Sequence, residues 1–82
     1  MNIPDKNIAQ ALQFHCAMVA DESSLADGSA GALSTILGLS ESALHAYVKS
    51  VIKDESIDRL HWGQTIFSRY KRAMNRTPQR SH

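Results

Sequence analysis

The residues best suited to metal or nucleophilic chemistry are four histidines, His15, His45, His61 and His82, and one cysteine, Cys16. Their placement argues against both roles. The histidines fall on separate segments, and His15 and Cys16 are neighbours that a helix points about 100° apart, so they cannot grip one ion together. Cys16 recurs with Leu12 and Val19 at helical spacing and reads as a small core residue. A lone cysteine forms no internal disulfide, which fits a reducing, cytoplasmic setting. The segment Asp27-Gly28-Ser29-Ala30-Gly31 is followed by no lysine of the phosphate-loop type. No Ser/His/Asp arrangement can be assembled, and 82 residues rarely enclose both a core and a reaction pocket. A non-enzymatic protein with no cofactor and no metal is expected.

The chemistry that remains is electrostatic. A net charge of +1 conceals two unlike regions. Residues 1–68 hold four basic residues and eight acids, a net of −4, whereas residues 69–82 hold Arg69, Lys71, Arg72, Arg76 and Arg80 with no acid. A basic end of this kind meets phosphates or an acidic protein partner. Arg69, Arg72 and Arg76, spaced by three and four, form a stripe about 60° wide on a helix and can grip successive phosphates.

The elements that must position these groups are helices. No stretch alternates apolar and polar residues strictly over five positions. With 43% hydrophobic and 21% charged residues the chain can bury a core, so wholesale disorder is excluded. Its apolar runs are too short to cross a membrane, and the N-terminal residues lack the pattern of a signal peptide.

A first helix is expected from about Pro4 to Ala20. Ile8, Leu12, Cys16 and Val19 form its buried stripe, and Phe14 and Met18 a second ridge. Residues 21–31, small and acidic, read as a loop with a short turn at Ser24–Asp27. A second helix is expected from Ser29 or Ala30 to Leu37, closed by Gly38 in a left-handed cap. Ser40 caps a third helix that runs to about Ile52. Asp54 or Ser56 then caps a fourth, from about Ile57 to Asn75. On that helix Leu60, Trp62, Gly63, Ile66, Phe67, Tyr70, Ala73 and Met74 share one arc, opposite the basic residues. Met18 and Met74 are expected in the core, with Trp62 as a packing anchor. Gly63 on the buried arc lets another backbone approach closely. The arc is wide for a monomer of this size, so Trp62, Ile66 and Tyr70 are candidate interface residues for a homodimer or another protein. The expectation is thus an all-α, four-helix domain over residues 1–76 and a flexible basic tail over residues 77–82.

Residues 30–49, AGALSTILGLSESALHAYVK, resemble the helix-turn-helix unit of bacterial and phage DNA-binding proteins. Leu33, Ser34, Leu37, Gly38, Leu39, Leu44 and Tyr47 stand at the positions where that unit carries its small, aliphatic and glycine residues. The pattern has a physical basis: glycine supplies positive φ at the corner, and aliphatic residues on both sides wedge two steeply crossed helices. The chain departs from the pattern at Ser34, where alanine is usual, and at Ile36, where a polar residue is usual. The resemblance implies a DNA-binding regulator, cytoplasmic and dimeric, with the third helix as recognition helix. Ser42 and His45 would reach base edges and Lys49 a phosphate, while Arg69, Lys71, Arg72 and Arg76 would contact the backbone. The competing reading is a helical adaptor or inhibitor that binds a protein and not DNA. The acidic body and the wide apolar arc favour it.

Overall fold

The computed structural model describes residues 3–76, except the side chain of Arg76; the expected basic tail, 77–82, lies outside the described residues. Four helices follow in order: α1 (Asp5–Ala20), α2 (Ala26–Leu37), α3 (Glu41–Lys53) and α4 (Trp62–Arg76). A single 3₁₀ turn, Arg59–His61, leads into α4, and no strand occurs among the described residues.

Each end of these helices has a local cause. Pro4 precedes α1, and its carbonyl accepts the N–H groups of Asn7 and Ile8 at 2.9 and 3.2 Å. At the other end Glu22 takes φ 58°, and the Ser23 N–H reaches back to the Met18 carbonyl at 2.9 Å. This is a left-handed closure that glycine adopts more easily than glutamate, so the turn holds backbone strain. Gly38 closes α2 at φ 71°, and the Leu39 N–H returns to the Ser34 carbonyl at 2.9 Å. Two residues later the Ser40 hydroxyl accepts the Ala43 N–H at 3.1 Å and starts α3. The Gly38 and Ser40 caps are therefore specified locally, as the sequence predicts.

Two helix starts differ from expectation. α2 begins at Ala26, three or four residues earlier than expected. The Ser23 and Ser24 carbonyls accept the N–H groups of Ala26 and Asp27, at 3.1 and 3.4 Å, and carry the chain straight into the helix despite Gly28 and Gly31. α4 begins later than expected. Asp54 binds Ser56 in a tight local turn, its Oδ1 accepting the Ser56 N–H and hydroxyl at 2.9 and 2.6 Å. The capping carboxylate is that of Asp58, which accepts the Leu60 N–H at 2.9 Å.

The core draws on every helix: Leu12 and Cys16 from α1, Leu33 and Leu37 from α2, Leu44, Val48 and Val51 from α3, and Trp62 and Ile66 from α4. Truncating one of the fully buried leucines to alanine costs about 2–5 kcal/mol. Four residues expected to be buried are not, Ala73 near the end of α4 among them. Leu60 is 76% exposed because it lies in the 3₁₀ turn, out of phase with α4. Phe14 is 67% exposed because α1 buries one stripe and not two, and Met74 is 53% exposed near the end of α4.

α1 and α4 form the most extensive helix pair, and Gly63 allows their approach. A methyl at Gly63 would lie 2.6 Å from the Gln13 backbone nitrogen and closer still to the Ala9 carbonyl oxygen. Gln13 clamps the same place. Its Oε1 accepts the Gly63 N–H at 2.8 Å and its Nε2 donates to the Arg59 carbonyl at 2.7 Å. One side chain of α1 thereby satisfies an unpaired N–H at the start of α4 and fixes the turn before it. Arg59 lies over the Trp62 ring at 5.0 Å and pairs with Asp21 at 3.5 Å, covering the anchor from outside. The Trp62 indole N–H is buried with no acceptor.

Gly63→Ala is expected to destabilise the protein by about 2 kcal/mol or more, because overpacking against backbone outweighs the gain of about 1 kcal/mol in helix propensity. Urea denaturation of the variant checks this. Unchanged or raised stability would show that the helices do not touch at Gly63.

Candidate functional site

α3 turns Leu44, Val48 and Val51 to the core. At about 100° per residue the opposite, outward side centres on Ala46, with Ser42, Lys49, Ser50 and Lys53 around it. All five are exposed. Three of the five, Ser42, Ala46 and Ser50, carry short side chains and the other two are flexible lysines, so the helix backbone is accessible to a close partner. His45, also exposed, lies at the edge of this surface.

The basic groups of α4 divide into two sets. Arg69 leans onto α3, and its Nη1 donates to the Ser50 hydroxyl at 2.8 Å. There it borders a shallow hollow of about 390 Å³ lined by Ala43, Ala46, Tyr47 and Ser50. Arg69 and Arg72, one turn apart, share a second, polar depression with His61, Gln64, Thr65 and Ser68. Lys71 goes the other way. About 200° around the helix from Arg69, its ammonium pairs with Asp5 at 3.1 Å and sits 5.4 Å from the Phe67 ring centre. Lys71 is thus drawn away from the surface it was expected to serve.

Of the residues singled out from sequence, Ser42, Lys49, Arg69 and Arg72 lie around the outer side of α3 and the adjoining flank of α4. His45 stands at its margin and Lys71 apart from it. The Arg76 side chain lies outside what the structure describes. Ser50 and Lys53 belong to the surface and were missed. Lys53 stands in the last turn of α3, where a positive charge complements the helix end, and Ser50 gains its role from Arg69, a contact across 19 residues. Trp62 and Ile66, expected at an interface, are 6% and 0% exposed and belong to the core, because α1 closes over that part of the arc. Tyr70 is half-buried, and its hydroxyl donates to the Leu37 carbonyl at 2.8 Å.

Three of the acids lie elsewhere. Glu22, Asp27 and Glu41 line a cleft of about 360 Å³ at the N-terminal end of α3, together with His15 and His45. Asp54, at the far end of α3, is held below the usual carboxylate range by its two bonds from Ser56, with a smaller contribution from the Arg69 charge. His15 is 3% exposed, and its Nδ1 pairs with the Ser29 hydroxyl at 3.0 Å. Burial, and then the charge of His45, push its pKa below the ordinary histidine value. Burial raises the Cys16 thiol to about 12, so it is an inert core group at neutral pH. Among the described residues no three metal-binding side chains come together to hold an ion, and no helix is long and apolar enough to cross a membrane.

Comparison with protein-family models, curated proteins and solved structures found no match to this chain.

His15 has a measurable consequence. Its pKa is lowered in the folded state, so the unfolded chain binds the proton more readily. Stability is expected to be full above about pH 7 and to fall as pH drops from the ordinary histidine value near 6.5 towards the lowered one. Urea denaturation at several values between pH 7.5 and 5.5 should show this fall, and His15→Asn should flatten it. An equal slope in the variant would assign the titration to another group.

Proposed function

We propose that this chain is a small, non-enzymatic DNA-binding protein that sets the outer side of α3 against the duplex. The observation that carries this reading is the bond from Arg69 to Ser50, because it brings a guanidinium of the basic end onto the surface that already holds Lys49 and Lys53.

Size and charge both support it. An α-helix is about 10–12 Å across and enters a major groove about 12 Å wide when its outward side chains are small. Ser42, Ala46 and Ser50 meet that condition. Lys49, Lys53 and Arg72 take part in no ion pair among the described residues, so all three are available to phosphates. Ser42 can hydrogen-bond a base edge, and Ala46 can contact a thymine methyl. No arginine, asparagine or glutamine lies on α3, so bidentate base contacts are lacking there. The reading is therefore one of phosphate-dominated binding with modest sequence preference. The acids around the His15 cleft lie at the other end of α3, where they repel the backbone and favour one orientation. In a regulator of bacterial or phage type, two copies would act as a dimer.

A second reading rests on the hollow beside Arg69. Its lining of Ala43, Ala46 and Tyr47 with one guanidinium also suits an acidic amphipathic helix of another protein.

Fluorescence anisotropy with a labelled mixed-sequence duplex separates the two. Binding is expected at low salt, with affinity falling steeply as salt rises. Lys49→Ala, Lys53→Ala and Arg69→Ala combined should keep the helical circular dichroism and reduce the salt slope by up to about three units. Absence of any binding at about 50 mM salt would reject the DNA reading and leave the acidic-protein one.

A further inference from the structure

On the flank of α4 away from α3 lies an open groove of about 360 Å³ between the start of α1, the end of α2 and the end of α4. Leu37, Phe67 and Tyr70 form its apolar floor. Two of the large hydrophobic residues left in solvent stand in it, Ile36 at 46% and Met74 at 53% exposure. Asp5 and Lys71, of opposite charge, line the same groove and pair at 3.1 Å.

We infer that this groove is the contact between two copies of the chain, Ile36 and Met74 of each seating on the floor of the other. The charges favour a second copy over other occupants. Asp5 and Lys71 neutralise each other, so a nucleic acid or a protein of one sign finds no net charge to attract it here. A second copy related by a two-fold axis sets Asp5 against Lys71 twice, so the surface is complementary to itself. Apolar floor and protruding apolar side chains occur on the same molecule, as an isologous contact requires. The Asp5–Lys71 pair is largely solvated in the monomer, so exchanging its partners between copies costs little. Because Lys71 turns to α1 and Arg69 to α3, this contact leaves the basic surface open. The inference extends the DNA-binding reading by supplying its second copy, and it is tested without DNA so that either can fail alone.

Sedimentation equilibrium of the full chain is the experiment. A reversible dimer with a dissociation constant in the micromolar range is expected. Met74→Asp and Ile36→Asp replace exposed residues, so each should keep its circular dichroism and weaken the dimer about tenfold or more. Asp5→Lys alone should also weaken it by setting like charges together, and the double exchange Asp5→Lys with Lys71→Asp should restore it. A parent chain that stays monomeric at about 100 μM would overturn the inference. So would a dimer that both aspartate variants leave unchanged.

Discussion

The contact between α1 and α4 at Gly63 is the constraint on which the remaining architecture depends. Backbone meets backbone there, since any side chain at residue 63 would collide with Ala9 and Gln13. Gln13 then converts proximity into register by bonding both the Gly63 N–H and the Arg59 carbonyl. A hydrophobic surface alone tolerates sliding, whereas two directional bonds from one amide do not. This fixes where α4 begins and how it is rotated. Rotation decides which side of α4 meets solvent. Trp62 and Ile66 go inward, Arg69 is delivered to α3, and Lys71 is delivered to α1.

From that rotation follows the spatial separation of charge. In sequence the acids and bases divide at residue 68. In the fold, part of the division runs along α3, although Asp54 stands at its basic end, near enough to Arg69 to feel its charge. Glu22, Asp27 and Glu41 gather around the cleft at its start, while Lys49, Lys53 and Arg69 lie along its later turns. An anionic partner approaching α3 is repelled at one end and attracted at the other. A near-neutral protein thus presents a directed local field, which orients an encounter more effectively than net charge does. His15 and His45 line the same cleft as these acids, and burial holds the His15 pKa low.

Much of the fold was legible in the sequence where its cause is local. The Gly38 and Ser40 caps, the end of α1 and the length of α3 depend on residues within a few positions of one another. The pattern failed where a distant group decides. α4 could have begun at Asp54, but Asp54 closes on Ser56, and Gln13, some fifty positions away, holds the helix start at Gly63. Gly63 itself was recognisable, because a glycine on a buried helical arc implies close approach. The apolar arc of α4 was visible but not the extent to which α1 covers it, so Trp62 and Ile66 were placed at an interface. The basic stripe was legible as a stripe. Its division between Arg69 and Lys71 required knowing that Ser50 and Asp5 lie on opposite flanks.

The central claim is that one surface, built from the outer side of α3 with Arg69 and Arg72, meets nucleic acid. Backbone amide spectra of isotope-labelled protein, titrated with a short duplex at low salt, test it residue by residue. The account predicts shifts concentrated at Ser42, Ala46, Lys49, Ser50, Lys53, Arg69 and Arg72, with Asp5, Gln13 and Lys71 unmoved. Shifts centred on the Phe67–Lys71 groove, or an unchanged spectrum, would contradict it.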